Sequence, residues 1–459
     1  MIDGPLHEAT TSQLATAIGE RHVSARDATA ACLTRIADVN PRINAVVQLA
    51  DGAIESAELA DAELAAGRTV GPLHGVPFTI KDSYDTAGVR TTAGTVGWRE
   101  RVPATDATVV ARLRAAGAVL IGKTNTPEFT WSNETTNRLF GATSNPYDLG
   151  RSPGGSSGGS AAIVAAGGSP FDVGSDTADS IRLPSHYCGV AGIKPTQGRV
   201  SRSGHWPSFH GIVGSWTQLG PIARSVADLD LVLRLIAGPD GRDPHVQPIA
   251  LGDPAAVDLT GLRVALVTDN GVETPTPETI AAVREAGLAL TDAGASVEER
   301  RPEGVAELSE IWWTVAQADG HAWLRRLIER AGTPIDDSYP WLTETTEIAA
   351  SELTRLLERI DELRGLMTAY LGTTDVIVSP AAPRPAFPHG EGSGDEYGDS
   401  YCEPYNLTGW PAGVVRGGTA PGGLPIGVQA AAGPWREDRV LATLAVIEAA
   451  SGGWQRPAI

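Results

Sequence analysis

Apolar positions along the chain recur first at the period of a helix. Between Thr10 and about Ala66, Leu14, Ala17 and Ile18, then Ala28, Ala31, Cys32 and Ile36, stand three and four residues apart, which puts them on one helical face. Two or more helices are therefore predicted to open the fold. The pattern then changes to short continuous apolar runs. VPFTI, the helical segment from Asp106 to Ala116 and AVLIG read as strand, helix, strand, the sequence form of a βαβ unit with parallel strands. A helix is predicted from Ser160 to Ala166, strands at FDVGS and at RVALVT from Arg263, and a further buried strand at DVIVSP near Asp375. Thr276 and Pro277 suit the N-cap and first turn of a helix running to about Ala293.

Two later regions differ in texture. From about Gly304 to Gly372 helical patterns carry bulky aromatics, including Trp312, Trp313, Trp323 and Trp341. Such indoles serve either as core packing or as the wall of a substrate pocket. Residues 385 to 404, rich in Gly, Pro and acid, read as a long surface loop.

Composition narrows the function classes. The 459 residues are 42% hydrophobic, enough to bury a large core, and carry a net charge of −19. That charge argues against nucleic acid or an anionic membrane as partner, since phosphate binding needs basic patches. Cys32, Cys188 and Cys402 are too few and scattered for a disulfide framework or a CxxC metal site. The start, MIDGPLHEAT, lacks the basic-then-apolar order of a signal peptide, and no run of about 18 apolar residues occurs. A cytoplasmic protein without metal or cofactor is expected.

Only three of the 36 basic residues are lysines, Lys81, Lys123 and Lys194, each after an apolar run: GVPFTIKDS, AVLIGKTNT and GVAGIKPTQG. Arginine keeps its proton in a protein, whereas a desolvated lysine can lose one near neutral pH and act as a base. A general drift from Lys to Arg explains the scarcity equally well, so composition alone does not say which amine is chemical.

The segment GRSPGGSSGGSAAIVAAGGSPFDVGSDTADSIRLPSHYCGVAGIKPTQGRVS, from Gly150 to Ser201, carries the chemistry. Its first third has the composition of a flexible linker. Because it runs straight into an apolar helix and a strand, its glycines belong to a fixed turn that lets backbone approach closely. A phosphate loop would need GK[ST] after the glycines, and no lysine follows. GSSGG fits the GxSxG nucleophile elbow with Ser157 central, but the preceding SNPYDLGRSP reads as loop where that elbow needs a strand.

Taken whole, the segment resembles the amidase signature family, whose pattern joins a GGSSGGS loop, a second serine in G[ST]DxGGSxRxP and a lysine after an upstream apolar strand. Here these are Gly154 to Ser160, Ser180 in GSDTADSIRLP, and Lys81 in GVPFTIKD. GKTNTPEF, FGATSNPYDLGRSPGGSSGG, GIKPTQGRVS, LGPIARSVADL, NLTGWPAG and GLPIGVQ extend the resemblance over most of the chain apart from roughly residues 240 to 375. It implies a single large α/β domain over 1–459: a twisted, mostly parallel mixed β-sheet covered by helices on both faces. Within it, 1–70 would form N-terminal helices, 71–240 the signature core, 241–375 a variable region with a helical lid, and 376–459 a return to the sheet.

The resemblance also implies a Ser-Ser-Lys triad: Ser180 as nucleophile, Ser156 as bridge after a cis peptide bond, and Lys81 as base. Backbone N–H groups at Thr177, Ala178, Asp179 and Ser180 would meet the oxyanion. Ala178 and Asp179 stand where the family usually has two glycines, so a carboxylate is expected beside a developing negative charge, with strain if Asp179 takes positive φ. Arg182 and Asp176 are expected to pair and hold this loop. Lys123 and Lys194 read as structural, and His186, His205 and His210 as loop or core residues.

Chemistry supports the assignment of Lys81. A serine hydroxyl needs a base, and an amine serves only when neutral. Bringing it from about 10.4 to near 7.5 costs about 4 kcal/mol, which burial after VPFTI would partly supply. Activity is therefore expected to peak above neutral pH. The substrate implied is a small-molecule amide, anilide or carbamate, with Phe129, Trp131, Ser157, Trp312 and Trp313 as pocket candidates and a monomer or homodimer as the acting form. Alternatives are an ester or urethane hydrolase on the same triad, an amidotransferase-type subunit needing partners, and a weakly catalytic binding protein.

Overall fold

Three strands, β1 (Val46–Leu49), β2 (Pro77–Lys81) and β3 (Val119–Thr124), make a small sheet in the order β1-β3-β2 in the computed structural model. The structure is described for all residues except 1, 3, 70, 208–210, 336–341, 343–346 and 392–398. The predicted βαβ unit forms: β2 and β3 pair in parallel, joined by the helix Thr108–Ala115. Every residue of both strands is buried, which is why they read as unbroken apolar runs rather than as alternation. The first 70 residues contain the expected helices Thr11–Gly19, Ala25–Ile43 and Ala53–Ala65. They also contain β1, which the helical pattern concealed and which pairs antiparallel with β3.

After the small hairpin β4 (Thr136–Asn137) and β5 (Gly141–Ala142), the rest of the chain builds an eight-stranded sheet. Its strands are β6 (Phe171–Asp176), β7 (Ala191–Lys194), β8 (Gln218–Ala223), β9 (Arg263–Leu266), β10 (Ser296–Glu299), β11 (Val376–Pro380), β12 (Ala412–Thr419) and β13 (Pro425–Ala432). They lie in the order β10-β9-β11-β13-β12-β7-β8-β6. The strands predicted at FDVGS, RVALVT and DVIVSP are β6, β9 and β11, and the helices predicted near Ser160 and Pro277 run over Gly158–Ala165 and Pro277–Asp292.

The sheet is mixed and flanked by helices, as expected, but its pairing is not mostly parallel. Only β10-β9 and β9-β11 pair in parallel, while β11-β13, β13-β12, β12-β7, β7-β8 and β8-β6 are antiparallel. Fully buried strands look alike in sequence whichever way the neighbour runs, and β12 and β13 meet through a short connection that only antiparallel partners can use. Residues 241–375 supply β9 and β10 at one edge, and 376–459 return β11, β12 and β13 to the middle.

The segment read as a surface loop at 385 to 404 is partly interior. Phe387, Tyr401, Cys402 and Glu403 are buried: Phe387 packs edge-on against Tyr187, the Tyr401 hydroxyl donates to the Glu273 carbonyl, and the Cys402 carbonyl accepts a hydrogen bond from the buried Arg182 guanidinium. Cys32, Cys188 and Cys402 are buried free thiols. Among the described residues no helix is long and apolar enough to cross a membrane.

Candidate active site

Lys81 ends β2 with its side chain fully buried. Its Nζ lies 2.7 Å from Ser156 Oγ, 2.9 Å from Ser157 Oγ and 3.0 Å from Ser175 Oγ. Burial drives this amine well below the ordinary lysine range, against the opposing pull of Asp172, Asp176 and Asp179. The three hydroxyls suit a neutral amine. Such an amine has two N–H donors and one lone pair, and Ser157 spends its own proton on the Ser175 carbonyl at 3.3 Å, so it can only accept from Lys81. Ser156 or Ser175 is left to donate to the lone pair.

The glycine-rich loop places these serines. Gly154 has φ +82°, open to glycine, and the Gly155–Ser156 peptide bond is cis. A Cβ on Gly159 would stand 2.4 Å from the backbone N of Asn125, and one on Gly174 would stand 2.7 Å from Ser157 Oγ. Both glycines let β3 and β6 close on the loop, and the helix Gly158–Ala165 that follows is buried along its whole length.

Ser180 lies on the turn between β6 and the helix Arg182–Cys188. Its carbonyl accepts the N–H of Ser157, and its hydroxyl donates to Asp179 Oδ1 over 3.3 Å. The peptide N–H groups of Thr177, Ala178 and Ser180 donate to no acceptor among the described residues. Asp179 is buried and not in the left-handed region, so the strain anticipated there is absent. Arg182 anchors the turn. It pairs with Asp176 at 2.9 Å, both side chains fully buried, and donates to the carbonyls of Ala178 and Cys402 and to Gln429 and Asn406. Burial alone would raise the Asp176 carboxyl, but the guanidinium outweighs it and holds the group below the usual carboxylate range.

The other basic candidates stand apart from the serines. Lys123 donates to the Tyr84 carbonyl and to Thr86, and Lys194 to the carbonyls of Trp410 and Pro195. Burial brings their amines down to about 8 and about 7. His186 takes the N–H of Gly427 on Nδ1 and faces the Arg384 carbonyl with Nε2, a fully occupied interior position. His205 meets Ser83 at 2.9 Å and packs edge-on against Tyr84. His210 and Trp341 lie outside the described residues.

The pocket candidates separate. Ser157 is interior, held under Lys81. Phe129 is also interior, packed edge-on against Trp98 in a cluster with Leu324 and Ile328. Trp131 stacks near Trp312 with centroids 6.3 Å apart, and Trp313 meets Trp312 edge-on. Trp312 shares an apolar cluster with Trp216 and with Ala178, two residues before Ser180. Ile212, Val213, Val315 and Ala316, from the same cluster, line a cavity of about 560 Å³ together with Trp323. Sequence reasoning assigned no role to Ser175, Asp172 or Trp216. Ser175 stood inside the recognised GSD motif, whereas nothing local marked the other two. Among the described residues no group of His, Cys, Asp or Glu is arranged to hold a metal ion.

Comparison with known proteins agrees with this geometry. The family profile described as Amidase matches residues 27–441. The chain is 38% identical to a glutamyl-tRNA(Gln) amidotransferase subunit from Roseiflexus sp. (strain RS-1), over 95% of each chain. It is 36% identical to an acylamidase from Rhodococcus erythropolis, over 98% of this chain and 97% of that one. Its structure superposes on a 6-aminohexanoate cyclic dimer hydrolase solved with its substrate, with TM-score 0.88 and 30% identity over 98% of this chain and 99% of that one. Matches this long, joined to a lysine and serines gathered from three separate motifs, place the chain in the amidase signature family.

Proposed function

We propose that this chain hydrolyses a carboxylic amide C–N bond through an acyl ester on Ser180. The observation that carries the proposal is the buried Lys81 amine, depressed by desolvation and 2.7 Å from Ser156. The Ser180 hydroxyl turns from Asp179 towards Ser156 as substrate enters. Its proton passes to Ser156 as the Ser156 proton passes to Lys81, and Ser180 Oγ bonds to the substrate carbonyl carbon. The N–H groups at Thr177, Ala178 and Ser180 face the resulting oxyanion. Lys81 returns its proton through Ser156 to the leaving nitrogen, the C–N bond breaks, and water releases the acid from Ser180 by the reverse path.

The substrate is a small amide, anilide or carbamate whose apolar acyl or aryl part lies against Trp131, Trp216 and Trp312. Esters and urethanes suit the same machinery. The buried free thiols support a reducing, cytoplasmic setting, and the enzyme works as a monomer or homodimer. Assay of the purified chain on amides, anilides, carbamates and esters tests this, with Ser180→Ala and Lys81→Ala each abolishing turnover. Retained activity in either variant overturns the assigned roles. The 38% identity to an amidotransferase subunit favours a second reading, in which the chain works only with partner chains. Hydrolysis of a simple amide by the chain alone would reject it.

A further inference from the structure

Three buried carboxylates act on Lys81, and their surroundings differ. Asp176 already has a cation, the Arg182 guanidinium, at 2.9 Å. Asp179 accepts the Ser180 hydroxyl. Asp172, on β6 and fully buried, has neither. Its hydrogen-bond donors are all neutral: Oδ2 accepts the hydroxyls of Thr79 at 2.7 Å and Thr124 at 3.1 Å, and the Ser160 hydroxyl and the Val173 N–H also favour the charged form, while Oδ1 has no close hydrogen-bond partner among the described residues. Thr79 stands two positions before Lys81 on β2 and therefore on the same face of that strand. The carboxyl is tied to the strand that carries the base, and of the three it weighs most on the amine.

We infer that Asp172 is a positioning residue for the reaction, the counter-charge that steadies the Lys81 ammonium while that amine holds the proton taken from Ser180. This rests on the proposed role of Lys81. A buried ammonium without an opposite charge is costly, and a hydroxyl cage alone does not neutralise it. Asp172 supplies that charge across the sheet junction, fixed in place before the proton arrives. Burial lifts the Asp172 carboxyl to about 6 against the hydrogen bonds of Thr79 and its neighbours, so it is ionised where Lys81 works. Other charged or titratable groups face the pair: Asp176 and Asp179 beyond β6, Lys123 on β3, Tyr84 after β2, and His205. Lys123 is occupied by the Tyr84 carbonyl and Thr86, so its ammonium is not hydrogen-bonded to Asp172.

The test is the pH profile of kcat/KM for Asp172→Asn, which keeps the shape and an oxygen acceptor but removes the charge. Without the carboxylate the Lys81 ammonium is less favoured. The acid limb therefore moves to lower pH by about one unit or more, while the plateau rate falls about tenfold because the base is weaker. Wild type and variant thus converge as pH falls. A merely structural role would lower the plateau and the melting temperature and leave the acid limb in place, and that result overturns the inference. If Asp172→Asn does not fold, Thr79→Val serves. Losing its hydrogen bond makes Asp172 harder to ionise and moves the limb the same way by less, whereas an unmoved limb counts against the role. Lys81→Ala separates the two levels: a dead Lys81→Ala with an unmoved limb removes only Asp172, whereas an active Lys81→Ala removes the base itself.

Discussion

Two buried regions meet at the Thr177–Ser180 turn, and they are built on opposite terms. On one side Lys81, Ser156, Ser157 and Ser175 are polar, almost wholly inaccessible and joined by hydrogen bonds of 2.7 to 3.3 Å, with the equally buried Asp172 tied to the same strand as Lys81 through Thr79 at 2.7 Å. On the other, Trp312 stacks near Trp131 and lies tilted against Trp216, with centroids 6.3 and 5.9 Å apart, in the apolar cluster whose Ile212, Val213, Val315 and Ala316 line a cavity of about 560 Å³. The polar side tolerates little change, because an unmatched buried donor or acceptor costs about 1–3 kcal/mol and more when charged. The aromatic side holds by area and shape, which other side chains can partly replace. In the proposed reaction the chemistry belongs to the rigid side and the choice of substrate to the adaptable one.

Substitutions should break that contrast in a definite order. Ser180→Ala and Lys81→Ala should each lower kcat by about 10⁴-fold or more, measured on any substrate the enzyme accepts, because members of one proton relay fail together. Arg182→Ala should come next but act on folding. It leaves Asp176 buried without its cation, which costs about 3–5 kcal/mol, and thermal or urea unfolding should record that loss. Trp312→Ala should raise KM for an apolar acyl amide and lower its kcat/KM about tenfold or more, consistent with loss of about 1–3 kcal/mol of apolar contact, while barely changing kcat/KM for acetamide. An equal loss on both substrates would erase the distinction between the two regions. Asp179→Asn should have the smallest effect, a rise of a few fold in kcat/KM, since it removes a negative charge beside the developing oxyanion.

The pH dependence follows from the same asymmetry. As the proposed base, Lys81 would act only as free amine, so activity should fall as pH drops through its depressed value and should peak above neutrality. A profile centred well below pH 7 would contradict an amine base.

Legibility in the sequence divides along the same line. Lys81, Ser156 and Ser180 could be named because each sits in a short motif with its own local pattern, and the βαβ unit because a parallel pair needs a helical crossover. Asp172 escaped notice because only the packing of β6 beside β2 brings it near Lys81, while Ser175, although inside the recognised GSD motif, shows its contact with the amine only once those strands pack. Phe129 and Ser157, expected in the pocket, are fully buried beside Trp98 and Gly174, as Trp216 and Trp312 are among the indoles. Trp216 carries no signal of its own; its place beside Trp312 comes from β8 and the helix Gly211–Trp216 that precedes it. The antiparallel majority of the large sheet was hidden for a simpler reason, that a buried strand does not record its neighbour's direction.

In the proposed reaction Ser180, not one of the other buried serines, carries the acyl group. Acid quenching during turnover, followed by intact-mass measurement and peptide mapping, reads this directly. An added acyl mass is expected on Ser180, lost in Ser180→Ala and strongly reduced in Lys81→Ala. An adduct on Ser156 or Ser157, or an unchanged adduct in Lys81→Ala, would contradict it.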